Sequence, residues 1–165
     1  MFGHWGLAPL VPARPYFVFG PVVHGKGNGL NVMPNGSMST DTADCELCVP
    51  RDVVAENSLA YVRYDNNSLS RGHVLVVPRR HVAGFFDMTA EEQAAVLSLL
   101  NQAQRLIQKQ HAPDAYNIGA NIGKAAGQAR MHVHVHLIPR YAGDVPNPQG
   151  GIRCVLPGKA RVPNK

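Results

Sequence analysis

The sequence predicts an α+β domain in which a mainly antiparallel sheet packs against one long helix. Three observations predict it: residues 131–139 alternate histidine with apolar side chains, two strand-like runs precede them, and a long amphipathic segment lies between. Period-two alternation is typical of a strand with one face on the core, and apolar side chains three and four apart are typical of a helix. Strands, a helix and then further strands are the order expected of an α+β domain.

Two short segments predict the first pair of strands. Residues 58–64 are rich in aromatic and β-branched side chains, which favour strands. The next four residues, 65–68, have the Asp-Asn-Asn-Ser composition of a turn. Residues 72–78 then form a nearly continuous apolar run, which predicts a strand buried on both faces. We expect these two strands to pair antiparallel.

One segment carries the signals of a helix start and a helix end. Thr89 and Glu92 have the spacing of a capping box, in which each side chain bonds the other residue's backbone N–H. Pro113 bounds the far end. The apolar positions that follow the capping box keep to one helix face: Val96, Leu99, Leu100, Ala103, Leu106 and Ile107. Residues 116–121 predict a further strand, and a glycine-containing loop over 123–127 leads into the histidine run.

Composition limits the class of protein and its partners. The chain has 165 residues, enough for one ordinary domain, and no uninterrupted apolar stretch long enough to predict a membrane span. A net charge of +5 suits an anionic small molecule, but the excess is too small and dispersed to indicate nucleic acid. Residues 1–40 are rich in glycine and proline, and we interpret them as a flexible extension of a domain over residues 41–165.

The three cysteines indicate a reducing compartment and half of a metal site. An odd count with one close pair is a poor disulfide framework, so we expect a cytoplasmic protein. Cys45 and Cys48 have the spacing of a zinc half-site, which needs two further ligands. His81 and His132 are the candidates, and a pair of reduced cysteines without metal is the alternative.

The three alternating histidines predict a surface that binds a ligand or takes part in a reaction, rather than one that packs against the core. Same-face neighbours on a strand lie roughly 7 Å apart, so His132 and His136 are separated by roughly 13 Å. Because zinc–nitrogen bonds are only about 2 Å long, this spacing argues against one ion held by all three rings. His134 has an imidazole on either side that can orient it, and is the candidate nucleophile. Gln128 is a nearby uncharged donor for a leaving oxygen, whereas His73, inside an apolar strand, is expected to be structural.

These residues carry a resemblance to a known family. Residues 132–138 match the His-x-His-x-His-x-x signature, with x apolar, of the histidine triad family of nucleotide hydrolases and transferases. Residues 72–81, residues 116–121 and the Gly127-Gln128 pair also fall where that family's pattern has them. The segment 138–144 resembles the branch that cleaves dinucleoside polyphosphates, and the likeness runs roughly from residue 45 to residue 162.

The resemblance implies a fold and a reaction. The fold is a five-stranded antiparallel sheet with one long helix, in a homodimer whose two sheets join. In the reaction, His134 attacks the α-phosphorus and becomes nucleotidylated, and water then releases a nucleoside monophosphate. His136 contacts a phosphate oxygen, Gln128 assists the leaving group, Asn121 holds the phosphate or the neighbouring histidines, and His132 lines the site or binds zinc.

The resemblance also bears on metals and on substrate. Cys45, Cys48, His81 and His132 correspond to the zinc ligands of the metal-bearing members, and Mg²⁺ can accompany the substrate. Ala129 departs from the family pattern, which has a polar residue there, so one donor to the phosphate is absent. The expected function is hydrolysis of diadenosine tetra- or triphosphate-like substrates. The alternatives are a nucleoside phosphoramidase, a non-catalytic nucleotide-binding protein and a zinc-stabilised structural module.

Overall fold

The computed structural model describes residues 45–156, which contain a five-stranded antiparallel sheet and one long helix. The α+β prediction is therefore confirmed. The predicted extension over residues 1–40 lies outside the described residues, so that domain boundary stays a prediction. The elements in chain order are β1 (Val53–Glu56), β2 (Ala60–Tyr64), β3 (Val74–Pro78), α1 (Ala90–His111), β4 (Ala115–Gly119) and β5 (Val135–Arg140).

The sheet has the strand order β1-β2-β3-β5-β4, and all neighbours are antiparallel. The expected pairing of β2 with β3 is confirmed, in a register that runs from Ala60 opposite Pro78 to Tyr64 opposite Val74. Every residue of β3 is buried, as its continuous apolar run predicts. The residue patterns did not locate β1, because it is only four residues long and its register shifts within the strand.

The helix begins and ends where its sequence signals predict. The Thr89 hydroxyl accepts a hydrogen bond from the Glu92 N–H, and the Glu92 carboxylate accepts one from the Thr89 N–H, which completes the capping box. At the other end Ala112 adopts a left-handed conformation with φ 46°, and Pro113 follows. Within residues 45–156, no helix combines the length and the apolar character needed to cross a membrane.

The two faces of the sheet have different roles. The face toward α1 carries the main core, to which the alternate apolar residues of the histidine run belong; these are Val133, Val135 and Leu137. The opposite face carries a smaller buried cluster of Leu47, Tyr61, Leu75 and Val77. His136 lies opposite Leu75 in the register, on this second face. Since side chains alternate along a strand, burying the valines on one face directs the histidines to the other.

The histidine run is less regular than the sequence predicts, because β5 begins only at Val135. The residues just before it bond to the last residue of β3 and to the segment that follows β3. The Val133 N–H donates to the Val82 carbonyl at 2.7 Å, and His132 Nε2 lies 2.9 Å from the Pro78 carbonyl oxygen. In this segment the His132 ring contacts Cys45 and Cys48, whereas the His134 and His136 rings contact each other.

Candidate active site and metal centre

Four predicted ligands converge at the start of the histidine run. The ligand atoms of Cys45, Cys48, His81 and His132 all lie within 4.8 Å of one another. Cys48 Sγ is 3.2 Å from His81 Nδ1 and 3.6 Å from His132 Nδ1, and Cys45 Sγ is 3.5 Å from the same His132 nitrogen. A tetrahedral zinc ion with ordinary bond lengths separates its sulfur and nitrogen ligands by about 3.5 Å. The donor set and its spacing therefore fit zinc.

The orientation of His132 also fits a metal ligand. Its ring is fully buried, and Nε2–H donates to the Pro78 carbonyl at 2.9 Å, so Nδ1 presents its lone pair to the two thiols. Burial lowers the pKa of His132, and this favours the neutral ring that binds metals. Burial raises the pKa of the Cys48 thiol, and the neighbouring Cys45 raises it further. The raised pKa favours the protonated Cys48 thiol until a cation compensates the charge of the thiolate.

His134 follows the metal-ligand candidate His132 by two residues and directly precedes β5. Its Nδ1 is 2.8 Å from the carbonyl oxygen of His132, and since a carbonyl only accepts, Nδ1 carries the proton. Nε2 of the neutral ring is then unprotonated and has its lone pair free. The plane of the His134 ring is inclined by 64° to that of His136, with centroids 5.0 Å apart. His134 is thus held in the tautomer that a nucleophilic imidazole requires.

A second histidine outside the triplet sets the tautomer of His136. His73 is 1% exposed, and its Nδ1 accepts a hydrogen bond from the Leu69 N–H at 3.2 Å. The proton of His73 therefore resides on Nε2, which lies 3.0 Å from His136 Nδ1 and donates to it. His136 in turn carries its own proton on Nε2. This chain of bonds leaves the His136 Nε2–H as a donor for an acceptor outside the chain, such as a phosphate oxygen.

The charge state of His136 is set by its surroundings. Burial, with His134 and His73 close by, lowers the pKa of His136 to about 4, and Asp65 partly opposes this shift. Asp65 Oδ2 lies 3.5 Å from His73 Nδ1 and 3.7 Å from His136 Nδ1, distances too long for strong hydrogen bonds. At neutral pH His136 is an uncharged donor beside a carboxylate.

The other two predicted site residues lie in different environments. Gln128 is buried, its Oε1 accepts the Gly123 N–H at 2.7 Å, and its Nε2–H donates to the Ala83 carbonyl at 2.7 Å. These two bonds join the glycine loop to the segment after β3, and one N–H of the amide is left for a ligand. Asn121 is exposed just beyond the end of β4. The roles predicted for both side chains remain predictions.

Comparison with known proteins assigns the family. The model described as the HIT domain matches residues 46–143, well over half of the chain. The chain belongs to the HIT domain family. This HIT chain is 37% identical over 116 residues to an AP-4-A phosphorylase of Mycobacterium tuberculosis, a match to 67% of this chain and 60% of that protein. An asymmetrical bis(5'-nucleosyl)-tetraphosphatase of Schizosaccharomyces pombe is 42% identical over 73 residues, 44% of this chain and 40% of that protein.

A solved HIT structure supports the same assignment. The zinc-bound histidine triad family protein from Mycobacterium smegmatis is 27% identical and superposes with a TM-score of 0.57. The likeness covers 69% of this chain and 91% of that one. The HIT chain thus spans only part of the length of these relatives, 60% of the phosphorylase and 40% of the tetraphosphatase.

Two residues of the HIT site, His73 and Asp65, are not identified as site residues by the sequence patterns. His73 was expected to be a hydrogen-bonded structural residue, and it is one, but its partner is His136 itself. Asp65 was assigned only to a turn, yet its carboxylate lies against both of these rings. A polar residue eight positions before a histidine gives no sequence signal of contact, because only the β2–β3 hairpin brings the two together.

Proposed function

We propose that this protein hydrolyses dinucleoside polyphosphates, of the diadenosine tetra- or triphosphate kind, through a nucleotidyl intermediate on His134. The observation that carries the proposal is the 2.8 Å bond from His134 Nδ1–H to the His132 carbonyl, which leaves Nε2 free to attack. The two enzymes that share this domain, an AP-4-A phosphorylase and a bis(5'-nucleosyl)-tetraphosphatase, support the substrate class.

The reaction has two displacements at the same phosphorus. In the first, His134 Nε2 forms a bond to the α-phosphorus, the bond from phosphorus to the bridging oxygen breaks, and the remaining nucleotide leaves. In the second, water attacks the phosphorus, the phosphorus–nitrogen bond breaks, and a nucleoside monophosphate departs as water loses a proton. An imidazole suits both steps, because it is nucleophilic when neutral and leaves readily once bonded to phosphorus.

The neighbouring side chains supply donors to the reacting phosphate. His136 is neutral at pH 7, since its pKa is lowered to about 4, and it offers Nε2–H to a phosphate oxygen. We assign to Gln128 the remaining amide hydrogen for the leaving oxygen, and to Asn121 a contact with the phosphate. Ala129 offers no side-chain donor, so the phosphate depends on these groups and on Mg²⁺ carried with the substrate.

We assign Cys45, Cys48, His81 and His132 to a structural zinc ion, supported by their spacing and by the zinc-bound relative. When bound, zinc would cross-link the segment before β1 to the start of the histidine run. The His132 backbone itself orients the nucleophile, because its carbonyl accepts the hydrogen bond from His134 Nδ1–H. His132 is therefore a positioning residue for the nucleophile.

We further propose a cytoplasmic homodimer. The edge strand β4 leaves one side without a neighbouring strand within the described residues, which suits the joining of two sheets. The three cysteines are all free, which suits a reducing compartment. Sedimentation equilibrium tests the dimer: a monomer at micromolar concentration would contradict it.

The experiment that tests the activity is hydrolysis of diadenosine tetraphosphate in heavy-oxygen water, with and without Mg²⁺. We expect the heavy oxygen in adenosine monophosphate, because water attacks the phosphorus that His134 held. Acid-sensitive label trapped on the wild type and absent from His134→Ala would support the intermediate. An unchanged rate in His134→Ala would overturn it.

The same assay separates the alternatives. Added inorganic phosphate would yield adenosine diphosphate if the protein is a phosphorylase, like its mycobacterial relative. Exclusive turnover of an adenosine phosphoramidate would make it a phosphoramidase, and tight binding without turnover would make it a nucleotide-binding protein. Each of these results would replace the proposed hydrolysis.

A further inference from the structure

Arg63 is a buried cation on the histidine face of the sheet. Only 5% of the residue is exposed. It lies in β2 opposite Leu75 of β3, and Leu75 lies opposite His136 of β5. Cross-strand partners share a face, so Arg63 is on the same face as His136, two strand spacings or about 10 Å away.

The described part of the chain provides no carboxylate for this guanidinium. Within residues 45–156 its hydrogen bonds go to neutral oxygens: Nη2–H donates to Asn66 Oδ1 at 3.0 Å, and Nε–H donates to the Tyr64 carbonyl at 3.4 Å. A buried arginine is ordinarily paired with an anion or has its donors satisfied, because desolvating the charge is costly. Of its five N–H donors, three remain, including both on Nη1.

The free donors reach accessible space. Among the described residues, the one buried side-chain nitrogen or oxygen that lacks a partner is His111 Nε2. Nη1 of Arg63 is therefore not sealed within the protein. Its two remaining hydrogens, with the third on Nη2, form the planar fork that grips a pair of adjacent acceptors.

Asp65 determines which part of a substrate can approach this fork. It follows Arg63 by two residues, and its carboxylate lies 3.7 Å from His136 Nδ1. A polyphosphate chain running from the histidines past Asp65 would meet like charge. The uncharged nucleoside meets no such repulsion, and its sugar hydroxyls can donate to the carboxylate.

The surroundings of Arg63 suit a flat, partly apolar group. On one side is Leu75, in the apolar cluster of the histidine face. On the other is Val53 of β1, which is opposite Arg63 in the register and 39% exposed. An aromatic heterocycle can pack on these side chains while its edge meets the guanidinium.

We propose that Arg63 binds the base of the nucleotide that His134 attacks and makes the site prefer guanine. This inference rests on the proposed function and extends it to the base. Guanine presents two adjacent acceptors, O6 and N7, which match the guanidinium fork, whereas adenine replaces O6 with an amino donor. The phosphate at His134 and His136, the sugar at Asp65 and the base at Arg63 then lie in sequence across one face.

The test compares kcat/KM for diguanosine tetraphosphate with that for diadenosine tetraphosphate. One bidentate arginine–guanine pair predicts about a tenfold or larger preference for the guanosine substrate in the wild type. In Arg63→Met we expect this preference to disappear, mainly through a higher KM for the guanosine substrate. Arg63→Lys keeps the charge but not the fork, and is also expected to lose the preference. Arg105→Met, on the exposed side of α1, is the matched control and should keep it.

The outcomes separate this inference from the proposed function. A wild type that turns over both substrates equally, or a preference unchanged in both Arg63 variants, would overturn the role of Arg63 and leave the hydrolase standing. Calorimetric titration with guanosine and adenosine monophosphates gives the same comparison without catalysis. A wild type that neither binds nor cleaves any nucleotide would overturn the proposed function itself.

Discussion

His73 offers the sharpest test of how the site is organised, through the substitution His73→Phe. The buried His73 ring accepts a hydrogen bond from the Leu69 N–H at Nδ1, and its Nε2–H donates one to His136 Nδ1 at 3.0 Å. Phenylalanine keeps an aromatic ring in this place, but it can neither accept nor donate a hydrogen bond. His136 is then free to carry its proton on Nδ1, and Nε2 no longer presents a donor to the phosphate.

The structure sets the size of the effect. Two partly buried groups, the Leu69 N–H and His136 Nδ1, lose their partners, and an unsatisfied group costs about 1–3 kcal/mol when it is fully buried. Because water can reach both groups, we expect a net loss of unfolding free energy of about 1–2 kcal/mol. Loss of one neutral donor to the transition state predicts a fall of about tenfold or more in kcat/KM.

Two measurements check this prediction. Nitrogen-15 shifts of the His136 ring report which nitrogen carries the proton, and we expect Nε2 in the wild type and a mixture in His73→Phe. Steady-state kinetics on diadenosine tetraphosphate report the rate. The matched control is His111→Phe at the end of α1, where Nε2 is already buried without a partner among the described residues, so kcat/KM should not change. A His136 tautomer and a rate both unaltered by His73→Phe would refute the proposed chain of bonds.

Three further predictions concern the metal site and the scaffold. Cys48→Ala should reduce bound zinc from about one ion per chain to near none by elemental analysis, while Cys154→Ala, outside the ligand group, should not. Glu92→Gln keeps the capping bond but loses the pair with Arg80, which lowers the Glu92 pKa from 4.5 to about 2. The stability that this ion pair adds is present above pH 4.5 and disappears as the pH falls through about 2. Since Arg80 is half exposed, we expect Glu92→Gln to lower the free energy of unfolding by only about 1 kcal/mol at pH 7. Urea denaturation measures this difference, which should vanish in acid. Gly72→Ala should destabilise by about 2 kcal/mol or more in thermal melts, because φ is +86° and the new Cβ would lie 2.7 Å from a His111 ring carbon.

Local sequence patterns predicted the elements whose signals are local. The capping box at Thr89 and Glu92 marks the start of α1, since both bonds form within one helical turn. The β2–β3 hairpin is predicted by two short apolar runs and the turn between them. The strand β1 lacked a comparable pattern, and its pairing with β2 depends on a register that shifts within the strand.

The sequence by itself determined the fold class and identified the three histidines as site residues. Because histidine alternates with apolar residues in this run, the apolar side chains face the core and the histidines lie on the opposite face of the strand. Tertiary structure decided how the rings are divided. The chain leaves the sheet before Val135, so His132 joins the cysteines while His134 and His136 remain together. It also decided which groups set their tautomers, namely a carbonyl for His134 and the distant His73 for His136. Such contacts join residues far apart in the chain, so spacing along the sequence carries no signal of them.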